Sequence, residues 1–216
     1  MFPLHDANPR HGPSFVNWAL IALNVAVFFY SLGVSPFEAR TLVLTYAFIP
    51  QFFFFDPLGN AYRLLSSLFL HGGLAHILGN MFFLYVFGDN VEDRLGHGRY
   101  LLFYLLGGVV ATLAHGVFVP GSPVPMIGAS GAVSAVLGAY IVLFPRQRIL
   151  TFVPPLFLFW LPAWLYLGYW ALIQLLEAFG GLVVMGTGGG IAWWAHVGGF
   201  FFGVFAVRSF ARPRGL

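Results

Sequence analysis

Long apolar runs constrain this chain more than any other feature of its sequence. Six of them are candidate membrane spans, at residues 15–32, 63–88, 100–119, 130–144, 155–179 and 190–207. Only 8% of the 216 residues are charged, whereas roughly a quarter are charged in soluble domains. We therefore expect an all-α membrane protein, folded as a bundle of six transmembrane helices.

The placement of arginine predicts the orientation of these spans. With a cytoplasmic N terminus, two arginines, Arg40 and Arg63, fall outside and eight fall inside. The eight are Arg10, Arg94, Arg99, Arg146, Arg148, Arg208, Arg212 and Arg214. Both termini are thus predicted to be cytoplasmic, with tails at residues 1–14 and 209–216 around one domain at residues 15–208. The arginines form no basic stripe, so no nucleic-acid partner is expected.

The fourth run, at residues 130–144, is too short to cross a membrane by itself. Its 15 residues reach roughly 22 Å at about 1.5 Å per residue, against a hydrocarbon core of about 30 Å. The preceding segment, VPGSPVPMIGA, must therefore enter the membrane. Irregular backbone is tolerated at that depth where it lines an internal cavity. Ser130 is thus expected to face such a cavity.

Polar side chains on two other predicted spans fall at a similar depth. Measured from the inner ends of their spans, Ser130, His196 and His76 lie roughly 18–21 Å up and Asn80 about 13 Å up, at about 1.5 Å per residue. Ionisable groups at this depth are costly and indicate function. The spacing therefore predicts that three spans bring these four side chains to one place.

These residue types are suited to nucleophilic catalysis. A neutral histidine can take the proton of a serine, which makes Ser130 the candidate nucleophile and His196 its base. The amide of Asn80, a ring N–H of His76 and the backbone N–H groups at the helix start can stabilise an oxyanion. Gly128 allows the backbone to approach the reacting carbonyl closely. No cysteine is present to act as a nucleophile instead.

Small residues predict direct contact between the helices that carry Ser130 and His196. Gly199 and Gly203 follow His196 at spacings of three and seven, so they share its helix face. The serine helix has a matching small face formed by Ser130, Ser134 and Gly138. Gly131 also permits close backbone approach. No aspartate lies at a matching depth to orient the imidazole, so a dyad rather than a triad is expected.

The motifs GASG, HILGN and AHVGGFFFG together resemble those of the rhomboid intramembrane serine proteases, and the similarity extends over nearly the whole chain. The resemblance implies that Ser130 is the nucleophile and that His196 is its base. It also implies that His76 and Asn80 assist the oxyanion. The expected architecture is the six-helix rhomboid bundle.

The resemblance has implications for residues outside this group. It implies a membrane-dipping first loop at residues 33–62, with Arg63 as the basic residue that anchors the loop. Glu92 and Arg94 match a structural polar cluster at the inner end of the second span. Ser134 occupies a position where some members carry an aromatic ring that stacks on the catalytic histidine.

The resemblance further implies a serine-type endopeptidase that acts in the lipid bilayer. Its substrates would be single-span or polytopic membrane proteins, cleaved in or near their transmembrane segments through an acyl-enzyme. No metal or other cofactor is expected, and the fifth span, at residues 155–179, would gate the site. The compact six-span form resembles prokaryotic members, which implies the plasma (inner) membrane.

The same residues also allow other interpretations. Ser130 alone is more often a helix cap or a packing residue, and His196 alone more often a structural histidine. A transporter would need central carboxylates or inverted repeats, and a zinc protease would need an H-E-x-x-H motif; the sequence has neither. A rhomboid-like chaperone or dislocation factor without proteolytic activity is the remaining alternative.

Overall fold

The computed structural model describes residues 1–9, 12–155, 157–183 and 191–211. The described helices are α1 (Phe15–Gly33), α2 (Pro36–Tyr46), α3 (Pro50–Phe55), α4 (Arg63–Ser66), α5 (Leu74–Leu95), α6 (His97–Phe118), α7 (Ser130–Leu143), α8 (Ala163–Val183) and α9 (Trp193–Phe210). The described strands are β1 (Phe2–Asp6), β2 (Arg148–Val153) and β3 (Phe157–Pro162). Three of the counted arginines, Arg10, Arg212 and Arg214, lie outside the described residues, as does most of the predicted C-terminal tail.

Two described helices, α1 and α6, are individually long and apolar enough to cross a membrane. A third span results if Arg63–Phe69, which is α4 with the 3-10 turn Ser67–Phe69, and α5 count as one element. These two segments are bent by 97° relative to each other. The single span predicted at residues 63–88 is therefore wrong as a continuous helix. Gly72 and Gly73 separate its two parts, since glycine interrupts helices readily. The six-span topology stays a prediction.

A three-stranded sheet corrects the expectation of an all-α fold, because the protein is mostly helical rather than entirely so. Strand β2 is central and pairs antiparallel with both β1 and β3. The predicted fifth span, at residues 155–179, began too early, since Phe157–Pro162 forms β3 and the helix starts at Ala163. Hydropathy does not separate an apolar strand from a helix, whereas the aromatic run between prolines favours a strand.

The sheet contacts the bundle through its first strand. Asp6 of β1 is buried; it accepts a hydrogen bond from the hydroxyl of Tyr140 and, at 3.2 Å, another from the amide of Asn90. Tyr140 lies near the end of α7 and Asn90 near the end of α5. The first residues of the chain, expected as a tail, thus include a strand that holds the C-terminal ends of two helices.

Helix α7 lies at the centre of the bundle. Its residues from Gly131 through Tyr140 are all buried, and it packs against α5, α6, α8 and α9. A helix that is apolar on every side is stable only when other elements surround it. The surrounding helices therefore enclose α7, whose 14 residues reach about 21 Å at about 1.5 Å per residue.

Candidate active site

A cavity of about 790 Å³ lies between α5, α6, α7, α8 and α9. All five residues expected to carry the chemistry line it: Ser130, His196, His76, Asn80 and Gly128. Further lining residues include Gly131, Ser134, Trp170 and Gln174. Side chains from five helices, Thr112 of α6 included, and from the segment before α7 therefore face one cavity.

Ser130 is the first residue of α7. The residue before it, Ala129, has no polar side chain that can cap the helix. The N–H groups of a first helical turn have no partner within the helix, and they form the positive end of its dipole. A carbonyl oxygen in front of Ser130 would therefore meet donors that are already in place.

Gly128 and His76 lie directly against each other. The backbone of Gly128 has φ +119°, a conformation that residues with a Cβ rarely adopt. A Cβ at this position would be 2.6 Å from Nε2 of His76. The N–H of Gly72 approaches Nδ1 of His76 at 3.5 Å. If Nδ1 accepts in this way, Nε2 carries the proton and can donate beside Gly128.

Asn80 lies one helical turn after His76 on α5. It is buried, and its Nδ2 donates to the carbonyl oxygen of His76 at 3.1 Å. An amide nitrogen carries two protons, so one remains for a ligand in the cavity. The position suits a donor to an oxyanion formed at Ser130.

Helices α7 and α9 approach each other at their backbones. A Cβ at Gly199 would overlap the carbonyl oxygen of Gly131, and one at Gly203 would overlap that of Ala135. On the opposite side, a Cβ at Gly138 would overlap the carbonyl oxygen of Phe200. Glycine at these positions lets two helices pack at short range. The helix of Ser130 and the helix of His196 are thereby held together.

His196 has a polar partner on α8. Its Nδ1 lies 2.7 Å from Oε1 of Gln174. The rings of Trp170 and Trp193 flank the imidazole, with centroids 6.2 Å and 5.7 Å away. Ser134 does not take the place of a stacking ring, because its hydroxyl donates to the carbonyl oxygen of Ser130 at 2.6 Å.

Sequence reasoning missed Gln174. Its signal was available, since Gln174 and Glu177 are the polar side chains of an otherwise apolar α8 apart from its tyrosine and tryptophan heteroatoms. The predicted fifth span begins eight residues before the helix start at Ala163, and a glutamine can orient an imidazole as an aspartate does.

Arg63 joins the first loop to the bundle. Its Nη1 donates to the carbonyl oxygens of Leu44 and Ala47, at 2.7 Å and 2.9 Å. These carbonyls lie at the end of α2, where a cation also meets the negative end of the helix dipole. Phe48, just beyond, exchanges backbone hydrogen bonds with Met126 in the segment before α7. The loop and the serine segment are therefore connected.

Glu92 lies at the far end of the bundle from the cavity. It is fully buried and accepts from the backbone N–H groups of Val16 and Asn17, at 3.0 Å and 2.7 Å. It also contacts His97. A carboxylate at the start of α1 is favourable, because it meets unpaired N–H groups and the positive end of the dipole. Arg94 lies in the last turn of α5.

Metal-ligating side chains do not cluster in the part of the chain that the structure describes. Within residues 1–9, 12–155, 157–183 and 191–211, no group of three His, Asp or Glu side chains is placed to hold a metal ion. The cavity itself presents hydroxyl, imidazole and amide groups.

Comparisons with known proteins agree with the motifs. The Rhomboid domain profile matches residues 58–213. Rhomboid protease GluP of Bacillus subtilis is 36% identical over 65% of this chain and 27% of its own length. The human mitochondrial presenilin-associated rhomboid-like protein is 29% identical over 87% of this chain and 46% of its own length. Putative rhomboid protease YdcA of Bacillus subtilis is 34% identical over 42% of this chain.

The chain spans between 27% and 46% of the length of these relatives. The profile match nevertheless covers well over half of the chain, and it includes each of the residues that line the cavity. Two of the described helices, or three with the bent pair, are long and apolar enough to cross a membrane. This chain belongs to the rhomboid family of multi-pass membrane proteins.

Proposed function

We propose that this protein is an intramembrane serine endopeptidase, with Ser130 as its nucleophile and His196 as its general base. The observation that carries the proposal is the shared cavity, where Ser130 at the start of α7 meets His196, His76, Asn80 and Gly128. The names of two relatives, rhomboid protease GluP and putative rhomboid protease YdcA, support the same activity.

The first half of the reaction forms an acyl-enzyme. Oγ of Ser130 attacks the substrate carbonyl carbon while its proton moves to Nε2 of His196. The electron pair of the carbonyl moves to its oxygen, where Asn80, His76 and the first-turn N–H groups of α7 can donate. The intermediate then collapses, the C–N bond breaks, and the departing amine takes the proton from His196.

The second half restores the enzyme. Water gives a proton to His196 and adds to the acyl carbon, and the Ser130 Oγ leaves with that proton as the second product is released. The uncapped start of α7 serves both tetrahedral intermediates, because the oxyanion forms at the same place in each. His76 acts beside Gly128, where a side chain would block the approach.

The proposed substrates are single-span or polytopic membrane proteins, cut in or near a transmembrane segment. Family membership supports this class, since rhomboid proteins act within the bilayer. We further propose six spans on the apolar runs, cytoplasmic termini on the arginine distribution, and a plasma (inner) membrane location on the resemblance of the compact form to prokaryotic members. Cell fractionation tests this location, because the human relative is named as mitochondrial.

The proposal is tested with a single-span reporter protein in proteoliposomes. Wild type, Ser130→Ala and His196→Ala are compared, and the mass of each product locates the cut. We expect wild type to cleave near one membrane boundary and both variants to lose cleavage, by at least about a thousandfold. Labelling of Ser130 by a serine-reactive fluorophosphonate is measured in parallel.

A stability control separates chemistry from folding. Thermal unfolding in detergent should show that Ser130→Ala is as stable as wild type. If folded wild type neither cleaves several reporters nor reacts with the fluorophosphonate, the endopeptidase proposal fails. That result would favour the rhomboid-like chaperone or dislocation factor.

A further inference from the structure

The imidazole of His196 is held from a helix that carries no part of the expected dyad. Nδ1 of His196 lies 2.7 Å from Oε1 of Gln174 on α8. Gln174 is 7% exposed and lines the cavity. Its side chain is therefore placed among apolar helices with its amide oxygen directed at the ring.

The identity of the atom that faces Nδ1 has a chemical consequence. An amide oxygen can only accept a hydrogen bond, so Nδ1 must carry the proton of the neutral ring. Nε2 is then unprotonated and can take the proton of Ser130. The opposite tautomer would have its proton on Nε2 and could not accept the Ser130 proton at that nitrogen.

We propose that Gln174 is the positioning residue for His196, holding the ring in the tautomer and orientation that can accept the Ser130 proton. This inference rests on the proposed endopeptidase function. After proton transfer the ring is positively charged, and the same amide oxygen stabilises it as a charge-assisted hydrogen-bond acceptor. Gln174 thus does what a carboxylate does in a triad, without bringing a net charge into the bundle.

Other groups around His196 do not fill this role. The hydroxyl of Ser134 is used within its own helix, at the carbonyl oxygen of Ser130. The titratable side chains that interact electrostatically with His196 are His76 and His115, and neither is a carboxylate. Trp170 and Trp193 flank the ring without an acceptor atom. Among the described residues, the amide oxygen of Gln174 is the hydrogen-bond partner of Nδ1.

The position of Gln174 on α8 links the base to that helix. A hydrogen bond of 2.7 Å is lost once the atoms separate beyond about 3.5 Å. A shift of α8 by roughly 1 Å away from α9 would therefore free the imidazole. In this arrangement the His196 ring is oriented only while α8 packs against α9.

The test compares variants at this position by the rate of fluorophosphonate labelling of Ser130 and by reporter cleavage. Gln174→Leu removes both polar atoms and nearly preserves volume. We expect labelling and kcat to fall about 10- to 100-fold, as for other groups that orient a reacting side chain. KM should change less than about threefold, because the substrate makes the same contacts.

A rescue variant and a matched control separate positioning from packing. Gln174→Glu keeps the accepting oxygen and should recover most of the labelling rate. Leu167 lies two turns earlier on the buried side of α8. Leu167→Ala should lower thermal stability while the folded protein labels within about threefold of wild type.

A measurement on the unmodified protein does not depend on how the variants fold. Nitrogen NMR of 15N-histidine protein, with His196→Ala used to assign the signal, reports which ring nitrogen carries the proton. We expect Nδ1–H for His196. The inference is overturned by an Nε2–H ring in wild type, by Gln174→Leu labelling at the wild-type rate, or by equal losses in Gln174→Leu and Gln174→Glu. The proposed function fails separately, if wild type neither cleaves nor labels.

Discussion

The interface between α7 and α9 is built differently from the interfaces of α8. Helices α7 and α9 meet at glycines whose added Cβ atoms would overlap the backbone of the other helix, as at Gly138 and Gly199. On α8, a Cβ at Gly168 or Gly180 would meet nothing within 4 Å. Contacts of α8 are made by side chains, among them Trp170 and Gln174.

This difference separates two properties of the site. The spacing between the helices of Ser130 and His196 depends on backbone atoms, which cannot rotate away. The orientation of the His196 ring depends on one side chain, that of Gln174 on α8. Backbone contacts and a side-chain contact thus position different parts of the site.

The largest expected effect concerns Asn80 and tests whether α5, like α7 and α9, belongs to the part of the site that is in place before substrate binds. Asn80→Ala removes a proposed oxyanion donor and should lower kcat by roughly 10- to 1,000-fold, with little change in KM. Asn24→Ala is a matched control, because the amide of Asn24 also donates to a carbonyl four residues earlier, on α1. Asn24→Ala should leave the turnover of folded protein unchanged. An unchanged rate in Asn80→Ala would remove that residue from the mechanism.

The next largest effect tests the comparison between the α7–α9 interface and α8. Gly199→Ala forces α9 away from the carbonyl of Gly131 and should cost about 1–3 kcal/mol of unfolding free energy, together with most of the activity. Gly168→Ala, on α8, has open space and should be neutral or stabilising by up to about 1 kcal/mol. Unfolding in detergent measures both. Equal costs for the two substitutions would contradict the distinction.

Hydrogen exchange measures the same difference without substitution. If α8 is attached less tightly than α7 and α9, its amides should exchange through local opening at least about tenfold faster than theirs. This ratio corresponds to a free energy of local opening that is about 1.4 kcal/mol lower. Mass spectrometry of peptides from each helix in detergent and in lipid gives the rates. Protection of α8 equal to that of α7 would mean that the base is oriented from a rigid element.

The smallest effect concerns the far end of α7, which β1 holds through Asp6. Burial, partly offset by the Tyr140 hydrogen bond, raises the pKa of Asp6 from 3.8 to about 6. Between these values the unfolded chain has lost the proton that the folded protein keeps, so rising pH favours unfolding. The melting temperature should therefore fall from about pH 4 to about pH 6 and level off above.

Asp6→Asn provides the control for this pH dependence. The amide does not ionise in this range, so the variant should lose the component of the slope between about pH 4 and pH 6. Melting curves measured across that interval report the difference. A slope identical to that of wild type would show that Asp6 does not titrate with folding.

Sequence patterns were most informative where chemistry and depth coincide. GASG, HILGN and AHVGGFFFG led to the five residues that line the cavity. The boundaries of α7 were expected at 130–144 and lie at Ser130–Leu143, because Pro145 stops the helix. The small face with Gly199 and Gly203 predicted helix contact, which the structure contains. Roles for these residues stay predictions.

The strand β3 and Gln174 could not be obtained in the same way. Phe157–Pro162 has the hydropathy of a membrane span, and it becomes a strand because β2 offers it a hydrogen-bonding edge. Pairing partners that are distant in sequence do not appear in local hydropathy. Similarly, the sequence shows a glutamine in an apolar helix, but it does not show that the hydrogen-bond partner of this glutamine is His196.

The amino-acid sequence by itself determined that this is a rhomboid family membrane protein, since its apolar runs exclude an ordinary soluble fold and its motifs identify the family. Tertiary structure alone decided which atom faces which. Gln174 of α8 meets Nδ1 of His196 on α9, and His76 of α5 meets Gly128 in the segment before α7. Such contacts depend on how separate helices pack, and local sequence does not specify helix packing.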